Sequence, residues 1–131
     1  MNPKSPKGLR SPKSGSHHTD SLAANAVPRP VSAFARTNKA GLNIKQHAHE
    51  RDQLIYAIHG VMTIRTHDSI WTIPPSYSLW IPARVVHAVK MDTEVEMRTL
   101  YFQQGVIAAQ STACQVRAVS PLLRELIIRA M

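Results

Sequence analysis

The sequence is short of several things that would place it in common classes. It has a single cysteine, Cys114, so no internal disulfide can form, and a reduced, cytosolic setting is the plain expectation. Cys114 stands among apolar neighbours and reads as packed rather than reactive. No apolar run approaches the roughly 18 residues that span a bilayer. The N-terminus has no apolar segment of the secretory type, so no membrane role is expected. Strands do not alternate with long helical patterns, which argues against a parallel α/β fold. No repeat of solenoid period is present.

Acidic residues are also scarce, eight against sixteen Lys and Arg. The imbalance is local. Residues 1–40 carry seven cations and one anion, whereas residues 41–131 carry nine and seven. The leading segment, MNPKSPKGLRSPKSGSHHTDSLAANAVPRP, is rich in Pro, Ser, Lys and Gly and offers little apolar surface to offset the entropy of ordering. Residues 1–30 therefore read as a disordered basic tail. A solvated tail is the plain interpretation, and nonspecific contact with nucleic acid is the alternative. His17-His18 has no ligand partner nearby in sequence and reads as part of that tail.

From Val31 onward short runs of Val, Ile, Thr, Tyr and Trp alternate with turn residues. VSAFAR, LNIKQHAH, QLIYAIHG, VMTIRT, IWTI, SLWIPA, VVHAVKM, EVEMRTLYFQ and CQVRAV each read as a strand. Pro74-Pro75 stops pairing on any central strand. This spacing predicts an all-β sandwich or barrel over residues 31–119. SPLLRELIIRAM differs. Ser120 suits an N-cap and Pro121 the first helical position. Leu122, Leu123, Leu126, Ile127 and Ala130 fall at helical spacing, so residues 120–131 predict a helix that docks on the barrel or pairs with a second chain.

The chemistry gathers in HAHERDQLIYAIHG. On a strand, His47 and His49 leave the same face. Such a pair is either two ligands of one metal ion or two polar residues on a wet face. The wider spacing runs Gly41, five residues, His47-x-His49, three residues, Gln53, six residues, Gly60. It resembles the first motif of the cupins, which has Glu where Gln53 stands. SYSLWIPARVVHAVKM resembles the second: Pro82 and His87 keep their places, while Ser76 and Arg84 occupy the two glycine places and Met91 that of an asparagine.

The resemblance implies a double-stranded β-helix, or jelly-roll barrel, over about residues 31–118. It gives His47, His49, Gln53 and His87 the place of metal ligands, with a divalent transition metal such as Zn, Ni or Fe as cofactor. A polar lining, hydrogen-bonded within itself and to water, is the alternative. Glutamine offers a neutral carbonyl oxygen. A metal held without an anionic protein ligand would be retained weakly and would favour an anionic or hydroxyl-bearing outside ligand. Gln53 and His59 share strand parity, so His59 is expected to line the same lumen as Gln53. Arg84, close in sequence to His87, is placed to clamp a carboxylate effector, with simple solvation as its alternative. Trp71, Trp80, Tyr56 and Tyr101 are expected to pack in the core or between strands.

A narrower resemblance runs from His47 to the end. QLIYAIHGVMTI, W-x-x-P-P, W-I-P-A, L-Y-F and S-P-L-L-R-E-L-I follow one another as in the N-terminal sensory domain of one branch of the AraC-type transcription regulators. It implies a non-enzymatic domain that binds a small-molecule effector, forms a homodimer and passes its signal to a C-terminal helix-turn-helix domain. These 131 residues do not include that DNA-binding domain, so the sequence is expected to be a fragment of a longer protein. The alternative is a small stand-alone metal-dependent cupin enzyme of dioxygenase or isomerase type, which the three histidines favour and the missing glutamate disfavours.

Overall fold

A computed structural model describes residues 28–107 and 112–130. Among the described residues nine strands form where the alternation predicts them: β1 (Val31–Asn38), β2 (Asn43–His47), β3 (Asp52–His59), β4 (Met62–Arg65), β5 (Ile70–Ile73), β6 (Tyr77–Ile81), β7 (His87–Met91), β8 (Val95–Phe102) and β9 (Gln115–Ala118). A helix, α1 (Pro121–Arg129), closes the series. The disordered tail expected at residues 1–30 lies, up to residue 27, outside the described residues, as does His17-His18. Pro28, Arg29 and Pro30 are exposed, and the Pro30 carbonyl accepts from the Gln103 N–H at 2.8 Å. Among the described residues no helix is long and apolar enough to cross a membrane.

The strands are antiparallel and build two sheets, ordered β1-β8-β3-β6-β9 and β2-β7-β4-β5. Strict alternation in β8 shows why they close on each other: Val95, Met97, Thr99 and Tyr101 are buried, and Glu96, Arg98, Leu100 and Phe102 are half-buried on the other face. Ile55, Ala57, Leu79, Ile81, Val95 and Met97 of the first sheet pack against Met62, Ile64, Ile73, Val89 and Met91 of the second. Fully burying an aliphatic side chain of this size contributes about 1.5–3 kcal/mol, so this inter-sheet core is the main source of stability. Cys114 is half-buried against it, and burial, with the Asp68 charge adding to it, raises the thiol pKa. That fits the packed role expected of it.

The outer face of the first sheet carries a second cluster. Tyr56, Ile58, Val119 and Ile127 are buried there, with Leu100, Leu123 and Ile128 packed at their margin. Helix α1 covers this face. Ser120 Oγ accepts the Leu123 N–H at 3.1 Å and Pro121 occupies the first turn, as the sequence predicts. The helical stripe is wider than its seat: Leu122 and Leu126 stay exposed. Trp80 also packs on this outer face, its ring centroid 5.6 Å from that of Phe102.

Four turn positions shape the barrel ends. Gly60 has φ +90°, and a Cβ there would collide with the Glu94 carbonyl. Ser76 (φ 81°) and Arg84 (φ 67°) are the non-glycine residues with positive φ among those described. Both stand at the glycine places of the second motif, so the left-handed backbone has been kept where the glycine has not. The fourth position, Gly41, has φ 84°.

Candidate metal and ligand site

Local irregularities bring the histidines together. The register of β2 on β7 slips between Ile44 and His47, which sets His47 directly opposite His87 at the start of β7. His49 lies two residues beyond the end of β2. Its carbonyl accepts the Arg84 N–H at 2.7 Å, and Asp52 Oδ1 accepts the Ala83 N–H at 2.8 Å. These two bonds lace the β2–β3 loop to the β6–β7 loop and so fix His49 relative to His87.

The three rings form a tight triangle, with centroid separations of 4.7 Å (His47–His49), 4.4 Å (His47–His87) and 5.5 Å (His49–His87). One nitrogen from each lies within 4.8 Å of the other two, close enough for all three to hold one metal ion. His87 is 1% exposed and His49 6%, while His47 is half-buried, so the cluster opens toward solvent at His47.

Two rings are oriented by backbone. His47 Nδ1 lies 2.7 Å from the Lys45 carbonyl oxygen, and His87 Nδ1 lies 2.9 Å from that of Val85. A carbonyl only accepts, so each Nδ1 donates, and a ring that is neutral then keeps its lone pair on Nε2. Metal-ligating histidines commonly donate their second nitrogen to a carbonyl in this way. Burial above all, opposed by the Val85 carbonyl and aided by the nearby His47, lowers the His87 pKa from 6.5 to about 4. His87 is therefore neutral at pH 7, the form that can ligate or accept a hydrogen bond.

Gln53 is 4% exposed on β3, directly opposite Tyr101 on β8 and Ile81 on β6. The Tyr101 ring lies 5.1 Å from that of His49, so Gln53 belongs to the wall that adjoins the histidines. His87 Nε2 and Gln53 Oε1 are buried and make no hydrogen bond among the described residues. Two buried acceptors without donors are costly. A cation or a donor-bearing ligand at either atom would relieve that cost, and the three clustered imidazoles fit a borderline divalent metal.

The two other expected site residues, His59 and Arg84, are exposed. The register of β3 on β8 breaks between Ala57 and His59, and His59 then pairs with Glu96, whose neighbours Val95 and Met97 face the core. The extra residue reverses the parity that predicted a lumenal His59, and the side chain is exposed. Arg84 is exposed as well, with Nε 3.4 Å from Glu50 Oε2.

One residue went unnoticed in the sequence. Arg51 is only 7% exposed, and its Nη1 donates to Ser32 Oγ at 3.3 Å. It sits in HERDQ, which reads as a solvated charged turn.

Comparison with known proteins follows the same lines. The family profile described as AraC-like ligand binding domain matches residues 29–130. The HTH-type transcriptional regulator NimR of Escherichia coli (strain K12) is 35% identical over 82 residues, which cover 63% of this chain and 30% of NimR. A cupin superfamily protein from Desulfitobacterium hafniense DCB-2 superposes with TM-score 0.55 at 19% identity, over 59% of this chain and 71% of its own. Bacillus subtilis oxalate decarboxylase, known for its Mn(II) centres, superposes with TM-score 0.54 at 13% identity, over 63% of this chain and 24% of its own. At these identities the two structural likenesses are likenesses of fold.

Proposed function

The chain belongs to the AraC-like ligand binding domain family, and from that premise we propose that it senses a small-molecule effector at the cluster of His47, His49, His87 and Gln53. The observation that carries this reading is the convergence of three imidazoles beside a buried glutamine, with His87 Nε2 and Gln53 Oε1 left as unmatched acceptors. His47, His49 and His87 with the Gln53 amide oxygen would hold a divalent transition metal such as Zn, Ni or Fe. A bound ion there supplies a Lewis-acidic centre for an oxygen-bearing effector. The protein groups themselves fix orientation: the Lys45 and Val85 carbonyls hold two rings, and the laced loops hold the third. Unlike a carboxylate, Gln53 brings no charge, which suits reversible capture. Within a regulator of this kind, a separate domain would read DNA and the apolar residues of α1 would help pair two copies in the cytoplasm. The division into a tail at 1–30, a barrel at 31–119 and a linker helix at 120–131 belongs to the same proposal.

A metal-dependent cupin enzyme is the second reading, favoured by the same three histidines. Two measurements separate the possibilities. In equilibrium dialysis against Zn(II), Ni(II), Fe(II) and Mn(II), the chain is expected to bind about one ion per protomer. His87→Ala should abolish binding, and Gln53→Glu should tighten it by roughly tenfold or more. Retention of no ion by either the wild type or Gln53→Glu would make the histidines a polar lining alone. Effectors that stabilise the protein should be recovered unchanged. Turnover that depends on added metal would favour the enzyme.

A further inference from the structure

We propose that the outer face of the second sheet carries a second binding site, one that takes inorganic phosphate or a small phosphate monoester. A cavity of about 230 Å³ lies there, lined by Asn43 and Lys45 of β2, Thr63 and Arg65 of β4, and Ala88 and Lys90 of β7. Strand parity puts these six side chains on the face opposite Ile44, Ile64 and Val89, which pack into the inter-sheet core. The site is therefore separate from the histidine cluster and goes beyond the sensing reading. The bulge in β2 shapes it. Ile44 stands opposite Val89 and His47 opposite His87, so Lys45 and Gln46 together face the single residue Ala88. Ala88 in turn stands opposite Arg65 on β4. Its methyl group leaves the middle of the row open between two long cationic side chains. One row along, Lys90 stands between Asn43 and Thr63.

Charge and size give the chemical class. Lys45 and Arg65 stand two strand spacings apart, roughly 10 Å, and Lys90 completes a triangle around Ala88. All three are exposed. Among the described residues no acid forms an ion pair with any of them. Two acids stand beyond opposite ends of the patch, and each is engaged by a threonine. Asp92 accepts from Thr63 Oγ1 at 2.6 Å, and Asp68 from Thr66 Oγ1 at 2.9 Å. Three cations around one small residue match an anion with nearly two charges and three terminal oxygens. A lone carboxylate would leave part of that charge unanswered. The acids at the margins interrupt the positive field, which disfavours a long polyanion such as duplex DNA. The cavity is also smaller than the roughly 300–1,000 Å³ of pockets that take drug-sized ligands, so the ligand is compact.

The test titrates the full, isotope-labelled chain with inorganic phosphate, glycerol phosphate, glycerol, acetate and a short DNA duplex, at about 0.15 M NaCl to screen loose charge effects. The amide NMR signals of Asn43, Lys45, Ala88 and Lys90 should shift and saturate together with phosphate and with glycerol phosphate, the two competing. Glycerol should leave them in place, and acetate should bind roughly tenfold more weakly or worse. Arg65→Gln should weaken phosphate binding at these amides by roughly tenfold or more. Ala88→Leu changes no charge and should abolish binding by filling the cavity. Arg129→Gln removes an exposed cation from α1, over the other sheet, and should bind as the wild type does. Circular dichroism should show the variants folded. Phosphate that moves none of these amides would overturn the proposal, as would acetate binding equal to that of phosphate. Wild-type binding by folded Arg65→Gln, or a loss in Arg129→Gln equal to that in Arg65→Gln, would do the same. So would a DNA duplex that moves these amides where phosphate does not. None of these outcomes bears on the histidine cluster, so the sensing reading stands or falls by its own test.

Discussion

His47 and His87 face each other across the β2–β7 pair, their ring centroids 4.4 Å apart, and each Nδ1 meets the carbonyl two residues before it. The shared geometry means that a backbone carbonyl aims each ring. For the neutral His87 ring this keeps Nε2 as an acceptor before any ligand arrives.

The depressed His87 pKa has a consequence for stability. The folded ring protonates at about 4 and the unfolded one near 6.5, so between these values the unfolded chain binds more protons. Stability of the metal-free protein should be full above pH 6.5 and should fall as pH drops toward 4, by roughly 3 kcal/mol in total. Urea midpoints at pH 7.5, 5.5 and 4.5 measure it. His87→Gln should flatten the slope over this range, and an equal slope in wild type and variant would refute the assignment.

Gly60→Ala should be strongly destabilising. The position has φ +90° and no room for a Cβ beside the Glu94 carbonyl. A loss of about 2–3 kcal/mol is expected from backbone strain and overpacking together, read as a lowered denaturation midpoint.

Ser76→Gly and Arg84→Gly should do the opposite. Both residues hold positive φ, which costs an L-residue roughly 1–2 kcal/mol, partly offset by the greater chain entropy of glycine when unfolded. A gain of about 0.5–1 kcal/mol each is expected at denaturant midpoint. The Arg84–Glu50 ion pair lost in the second variant is exposed and contributes little.

The nine strands could be read from the sequence because each has its own alternation and its own turn residues. The histidine triangle could be read from spacing, since Gly41, His47, His49, Gln53 and His87 follow the order of known motifs. Alternation was a poor guide wherever a strand carries an extra residue. The break between Ala57 and His59 turned a predicted lumenal histidine outward. Tyr101 was expected only to pack, yet its ring also reaches His49, a contact between residues far apart in the chain. Arg51 was hidden for the same reason. Its partner Ser32 is 19 residues upstream on another strand, and nothing local in HERDQ distinguishes a buried arginine from a solvated one.

Among the described residues β2 is an edge strand, paired in its sheet with β7 alone. His47 closes its end and His87 stands across from it. Whatever engages both rings at once rivets the free rim of the second sheet to its interior. Occupancy should then damp the fraying of β2, visible as slower amide exchange at Asn43 and Ile44. A chemical event in the lumen thus becomes a mechanical one at the edge of the barrel.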